Sequence, residues 1–307
     1  RLYVDGISHK KMKIIALPGF RIKSLIELRK LIKTEKVDIL HSHCLLPDIA
    51  APIAALFTKC KSISTIHCDL RTVYNNEYPF YKANLYYLIH NIFMAFINKR
   101  ISVSFSVKET LFFKSNVIYN GVKSRVLSET ESENINLVFA GRLVQEKNIL
   151  FLLTAIKNIQ KMEEKNIVLH IYGDGELFNE VKKFTSPTII IHGFSDDFIA
   201  QTPKNSIFIN PSFAEGMPMA VLEAIASGIP AVLSNIPPHK EIKDNINNGV
   251  ELFELNQQSL LAAINRITNN TELVSINSEV MAQDFNNCFS NEKMSKGYIN
   301  EYKKTLT

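Results

Sequence analysis

Residues Ser206 to Ser234 read SIFINPSFAEGMPMAVLEAIASGIPAVLS, and this stretch decides the fold. SIFIN is a short apolar run of the kind a strand shows when both of its faces are covered. PSFAEGM is a loop, Pro218 suits the first helical position, and MAVLEAIAS places Val221, Leu222, Ile225 and Ala226 where they can face a sheet. Gly228 is a typical helix stop, after which PAVLS opens a second strand. Two glutamates interrupt these small and apolar residues: Glu215 in the loop, and Glu223 on the helix strip shared with Met219 and Ser227. No cation stands beside either of them in the sequence.

The same alternation extends outward. INLVFAG, NIVLHIYG and TIIIHG read as strands, with helices expected from Asn148, Glu176 and Ser195. Strands alternating with helices imply a parallel, doubly wound sheet, so this half is Rossmann-like. Upstream, VDILHSH and KSISTIH are strands running into polar loops, with a helix over PDIAAPIAALF between them. Residues 80–97 carry Leu85, Leu88, Ile89, Ile92, Phe93, Phe96 and Ile97 near helical spacing, which predicts a buried amphipathic helix. RISVSFS and NVIYNGV read as two further short strands. The polar segment VKSRVLSETESEN, without periodicity, sets the boundary: a first α/β domain over 1–122, a second over 123–285, and a terminal helix over 286–307.

Length and composition agree with two α/β domains facing a cleft. The chain has 307 residues, 46% hydrophobic and 21% charged, and two cores of about 150 residues suit it better than one. A net charge of +5 without a dense Lys/Arg block gives no reason to expect nucleic acid. Cys44, Cys60, Cys68 and Cys288 lack paired spacing, which predicts free thiols and a cytoplasmic protein. The apolar run from Tyr86 to Ile97 is shorter than the roughly 20 residues that span a bilayer.

Ligands of open parallel sheets sit at the carboxyl ends of the strands. There INLVFAG closes on Gly141, and Arg142 and Lys147 follow, two cations in a loop that feeds a helix start. A diphosphate would be held by those charges and by free backbone amides; a solvated loop with two surface cations fits the spacing equally well. Gly173-Asp174-Gly175 allows a close backbone approach or a plain capped turn. Glu215 and Glu223 reach the strand ends from a loop and a helix, with the amides of Gly216, Met217 and Pro218's helix start between them. Carboxylates flanking a phosphate-binding nest suit a sugar nucleotide, whose hydroxyls they would accept. His41, His43, Cys44, His67 and Cys68 raise a zinc cluster, but their spacing lacks the pairing such sites show.

These residues carry a resemblance. VFAGRLVQEKN, IYGDGE and FINPSFAEGMPMAVLEAIASGIPAVLS, with two glutamates separated by seven residues, resemble the C-terminal domain of retaining GT-B glycosyltransferases of family 4. VDILHSH, STIH, VIYNGV and the closing FSNEKMSKGYINEYKKTL extend the likeness over nearly the whole chain. The resemblance implies a hexosyltransferase of the GT-B fold, with a nucleotide-sugar donor, expected to be UDP-linked, and a cell-surface glycan or lipid-linked acceptor. It implies no cofactor and no metal. Arg142 and Lys147 would bind the donor diphosphate, Glu223 the ribose hydroxyls and Glu215 the donor sugar. Gly141, Gly173 and the backbone of Gly216, Met217 and Pro218 would line the donor, Gly193 and Phe194 of HGF would read the base, and His67 would point at the reacting sugar. Asn120 and Gly121 match the hinge, and the terminal helix crosses back to the first domain. Peripheral contact with the inner face of the cytoplasmic membrane, through the region from Tyr74 to Arg100, follows family habit.

Family members begin with a strand and a glycine-rich loop, and RLYVDGISHKKMKIIALPGF resembles neither. A first domain without that strand is expected to be weakly active or inactive, and a form extended upstream is expected to turn over faster. Asp69 follows His67 only after Cys68, whereas many members place the aspartate directly after the histidine. The rival reading is a non-catalytic nucleotide-sugar-binding remnant or partner subunit. A GT-B epimerase lacks the combination of Arg142, Lys147, Glu215 and Glu223.

Overall fold

The computed structural model describes residues 22–128, 130, 134–163, 166–269 and 271–307, with side chains left out at 163 and 271–279. The first-strand question concerns 1–20 and lies outside the described residues. Two compact units are present: residues up to Asn120 together with Glu292–Thr307, and Gly121–Asn291.

The first unit comprises α1 (Ile22–Thr34), β1 (Ile39–His43), α2 (Leu45–Ala55), β2 (Lys61–Ile66), α3 (Leu70–Glu77), α4 (Phe80–Ala95), β3 (Lys99–Ser102), α5 (Phe105–Glu109) and β4 (Asn116–Val117). The four strands are parallel and lie in chain order. Strand alternation sorts their side chains between two faces. Leu40 packs with Ile32 of α1 and with Ala54 and Ala55 of α2. Ile39, Ile63, Ile101 and Ile118 pack with Met294, Tyr298 and Tyr302 of the closing helix, Asn291–Leu306. A buried polar tie joins the elements: Ser42 Oγ donates to Asp48 at 2.5 Å, Asp48 lies 2.9 Å from His90 Nε2, and His90 Nδ1 lies 2.7 Å from the Tyr74 hydroxyl.

Helix α4 departs from the expected burial. Of the expected apolar residues Ile97 is buried and Ile89 and Phe93 are half-buried, beside buried Ala83, His90 and Met94, whereas Leu85, Leu88, Ile92 and Phe96 form an exposed stripe with Tyr81. Helical periodicity registers that a face is apolar and not what covers it.

The second unit comprises β5 (Ile135–Ala140), α6 (Ile149–Glu163), β6 (Ile167–Tyr172), α7 (Phe178–Lys182), β7 (Ile189–Gly193), β8 (Ser206–Asn210), α8 (Met219–Ala226), β9 (Ala231–Ser234), α9 (Pro237–Asn245), β10 (Val250–Phe253), α10 (Gln257–Thr268) and α11 (Thr271–Cys288); the closing helix is α12. Its six parallel strands lie in the order β10-β9-β8-β5-β6-β7. The order reverses between β5 and β8, the topological switch point where open α/β sheets bind ligands. Leu137, Phe139, Leu169, Ile171, Ile207 and Ile209 pack in one core with Leu152 and Ile156 of α6 and Ile264 of α10.

Several local expectations are corrected. No helix follows Ser195; there is only a single helical turn at Ile199–Gln201. Ser195 Oγ and Asp197 Oδ1 accept from the amides of Asp197 and Ala200, so local side-chain bonds satisfy the backbone instead. Pro218 is the cap and not the first helical residue, because its ψ of 110° is extended. Residues 286–291 belong with the second unit: Phe285 and Phe289 are buried, Val122 pairs with Ser290, and a Cβ on Gly121 would meet Ser290 O at 2.5 Å.

Candidate functional site

The loop after β5 is built to present Lys147. The Gly141 amide donates to Tyr172 O at 3.0 Å and the Leu143 amide to Asp174 O at 2.9 Å, which fixes the loop to its neighbour after β6. Gly173 permits that approach, since a Cβ there would stand 1.9 Å from Gly141 O. A short helical turn, Gln145–Lys147, then meets Asn148 in the left-handed region at φ 53°, which redirects the chain into α6. Arg142 is exposed on the same loop.

Across the switch point, the loop after β8 folds around Glu215. Its Oε1 accepts from Lys147 Nζ at 2.6 Å, Ser212 Oγ at 2.8 Å and Asn210 Nδ2 at 3.2 Å. The Lys147 and Glu215 side chains are only 15% and 7% exposed. The absence of a cation beside Glu215 in the sequence is thus reversed in space. Asn210 Oδ1 also accepts the Ser212 amide at 2.9 Å, and the Phe213 amide donates to Glu146 O at 2.9 Å, which locks the two loops together. Behind them Ser234 Oγ donates to Ser212 O at 2.6 Å, and His239 Nδ1 donates to Ser234 O at 2.8 Å. His239 is fully buried, and burial pushes its pKa down to about 4, so it is neutral.

Glu223 has a different cation. Burial raises its pKa, the charge of Arg125 opposes that rise and Asp197 adds to it. Arg125 Nη1 lies 3.0 Å from Asp197 Oδ1 and donates to Asp196 O at 2.9 Å, while the Arg125 amide donates to Ser227 Oγ at 3.2 Å. Arg125 therefore ties the loop after β7 to the end of α8. Gly216, Met217 and Pro218 are buried between the two acids.

At the end of β7, His192 stacks on Tyr172 with ring centroids 4.3 Å apart and planes 6° apart. Gly193 has φ +76° with open space where a Cβ would stand, and its carbonyl accepts the Gly173 amide at 2.8 Å. Phe194 follows, 73% exposed.

In the first unit, His67 stands just beyond β2. Its Nε2 lies 2.8 Å from His43 Nδ1, and the His43 ring stacks on His41 at 4.6 Å. Among the described residues, no group of three His, Cys, Asp or Glu side chains is placed to hold a metal ion. His41, His43 and His67 bond within the protein instead.

Residues 134–270 match the family model described as glycosyl transferases group 1, and residues 4–125 match that described as glycosyltransferase family 4. The UDP-Gal:alpha-D-GlcNAc-diphosphoundecaprenol alpha-1,3-galactosyltransferase of Escherichia coli is 30% identical over 288 residues, covering 82% of this chain and 72% of that protein. The chain belongs to the group 1 glycosyltransferases. The O-antigen biosynthesis glycosyltransferase WclY of Escherichia coli is 25% identical to this glycosyltransferase over 98% of the chain and 88% of its own length. The crystal structure of Anabaena HepE in complex with UDP superimposes with a TM-score of 0.77 at 14% identity, over 92% of this chain and 82% of that one. The fold is GT-B.

Of the residues that sequence singles out in this glycosyltransferase, the structure joins Lys147 to Glu215 and places Gly141, Gly173 and Gly193 on adjoining strand ends. It does not bring Glu223 into that ion pair. Sequence reasoning missed Arg125, which sits in a segment read only as a domain boundary, and Asn210, Ser212 and His239, which fix Glu215 or its loop. Asn210 is the polar residue at the carboxyl end of β8, straight after the apolar run of Ile207, Phe208 and Ile209, the one signal that could have found it.

Proposed function

We propose that this glycosyltransferase moves a hexose from a UDP-sugar to a lipid-linked or growing cell-surface glycan, with retention of anomeric configuration, at the inner face of the cytoplasmic membrane. The observation that carries the reading is the Lys147–Glu215 pair at the switch point, with Arg142 exposed on the same loop. A departing nucleoside diphosphate gains negative charge as the glycosidic bond breaks. Cations beside the diphosphate offset that charge, and this is the role of Lys147, held by Glu215 and largely withdrawn from water, and of Arg142, exposed on the same loop. Those cations do the work a metal ion does elsewhere, so turnover requires none. Glu223 holds the ribose hydroxyls, the second oxygen of Glu215 accepts from the sugar, the backbone around Gly193 and Phe194 meets the base, and His67 faces the reacting sugar. The donor and acceptor named for the Escherichia coli galactosyltransferase and the UDP bound by HepE support the choice of donor. The exposed stripe on α4 supports peripheral contact with a membrane; no described helix is long and apolar enough to cross one.

The test is a screen of nucleotide sugars for hydrolysis and for transfer to a diphosphoundecaprenol-linked sugar, with and without chelator, beside calorimetry with UDP. Turnover with a UDP-hexose that survives chelation is expected. Binding of UDP without turnover, in this chain and in an upstream-extended form, would leave a nucleotide-binding partner subunit instead.

A further inference from the structure

His41 and His43 alternate along β1, so both point to the sheet face that α12 covers. The register pairs His43 with Thr65 on β2, and His67 lies two residues further on, on the same side. His41 is held at both nitrogens: Nδ1 lies 2.7 Å from the Tyr302 hydroxyl and Nε2 lies 2.8 Å from Thr65 Oγ1. Thr65 Oγ1 in turn lies 3.1 Å from the Tyr298 hydroxyl. The fixed His41 ring backs His43, stacked at 4.6 Å with 23° between the planes. His43 then meets His67 through a single hydrogen bond, Nδ1 to Nε2, at 2.8 Å.

We propose that His43 is a positioning residue that holds the His67 ring in one tautomer and one orientation. In a bond between two neutral imidazoles, one nitrogen carries the proton and the other offers a lone pair. Fixing the state of His67 Nε2 therefore fixes the opposite state at His67 Nδ1, the ring nitrogen outside this bond. Neutrality is supported by burial, which lowers the pKa of all three rings, to about 4 for His41. Asp48 raises all three and the neighbouring rings lower His41 and His67. The helix that closes the chain thus reaches His67 through Tyr302, His41 and His43. The relevance to turnover rests on the proposed glycosyl transfer with His67 at the reacting sugar.

The experiment has two arms on the full chain. Long-range proton–nitrogen correlation spectra of the histidine rings, assigned with His67→Gln, are compared for wild type, His43→Phe and His43→Gln at a pH where the rings are neutral. One protonated and one unprotonated nitrogen are expected for His67 in wild type and in His43→Gln, whose amide still bonds, and two averaged nitrogens in His43→Phe. Unchanged His67 nitrogens in His43→Phe would overturn the proposal. If His43→Phe loses spectral dispersion, His43→Ala, which has no polar side-chain atom to reach His67, replaces it. In the kinetic arm, His43→Phe is expected to lower kcat about 10- to 100-fold, as misplacement of a reacting group does, with donor KM changed by less than about twofold. His43→Gln should recover part of the loss, and full kcat in His43→Phe would also overturn the proposal. A wild type inactive with every nucleotide sugar would instead sink the glycosyl-transfer reading, while the spectra still decide whether His43 sets the ring.

Discussion

Lys147 Nζ stands 2.6 Å from Glu215 Oε1 across 68 residues of sequence, with both side chains largely withdrawn from water. Glu215 holds the lysine where the sheet order reverses, and Ser212 and Asn210 hold Glu215. Removing either partner leaves the other charge poorly solvated, while removing both leaves none. Lys147→Ala and Glu215→Ala are therefore expected to be non-additive in urea unfolding, with a coupling on the order of 1 to 3 kcal/mol. Additive costs would mean that the pair is not formed in solution. For turnover, Lys147→Ala and Arg142→Ala should each lower kcat roughly 100- to 1000-fold, as loss of a group stabilising developing charge does elsewhere. Near-normal turnover by either variant would remove that cation from the proposed diphosphate clamp.

Glu223 makes a pH prediction with a definite sign. Burial raises its folded-state pKa above the ordinary 4.5, against the pull of Arg125. In the window between 4.5 and that raised value, the native state binds more protons than the unfolded state, so stability falls as pH rises through it. Glu223→Gln should remove this fall and be more stable than wild type at neutral pH, with the gain fading below the ordinary carboxylate range. Arg125→Ala should enlarge the fall, since its charge is what restrains the rise. Urea midpoints across pH decide the matter, and parallel profiles for Glu223→Gln and wild type would contradict it. The same carboxylate, if it holds ribose hydroxyls, should cost UDP about 1.5 to 3 kcal/mol of affinity in Glu223→Ala, the range for hydrogen bonds to charged groups.

His239 titrates in the opposite sense. Its folded pKa of about 4 lies below the ordinary 6.5, so the unfolded chain binds the proton first and stability is lost as pH falls from 6.5 towards 4. The difference is worth on the order of 3 kcal/mol once both values are passed. Asparagine can keep the donor to Ser234 O while removing the titration. His239→Asn should therefore be less stable at neutral pH, because it leaves a small void, and flatter between pH 6.5 and 4. A slope equal to wild type would assign the acid sensitivity to other groups, among them His170, also pushed down to about 4 by burial and His192.

The second unit was the more legible in sequence, because its strands are short apolar runs closed by glycine or a polar residue, and its helices start where the pattern changes. Gly228, at φ +81°, ends α8 as read from the sequence. What escaped depends on which strands become neighbours. Lys147 and Glu215 meet because β5 pairs with β8, and no spacing along the chain encodes that. Arg125 escaped because a polar stretch without periodicity looks the same whether it is solvated or bonded. The helix expected after Ser195 failed where serine and aspartate side chains compete for the backbone. His43 drew notice only as a candidate zinc ligand; its contact with His67 depends on the parallel register of β1 and β2.

The α4 stripe supports the last prediction. Tyr81, Leu85, Leu88, Ile92 and Phe96 recur at helical spacing and are exposed, with Lys82 beside them and no acidic residue within the helix. A helix face of this kind buries apolar area at the boundary of lipid headgroups and acyl chains, and basic neighbours add attraction to anionic lipid. The chain should therefore sediment with vesicles containing phosphatidylglycerol and do so less with purely zwitterionic vesicles. Leu88→Glu with Ile92→Glu should abolish sedimentation with both, because each substitution removes apolar area and adds like charge at the anionic surface. These positions are already exposed, so urea stability should stay within about 0.5 kcal/mol of wild type. Nucleotide binding, proposed for residues of the second unit, should be unchanged. A doubly substituted chain that still sediments would assign any membrane contact to another surface. Loss of folding in that variant would instead mean that the stripe is covered by protein.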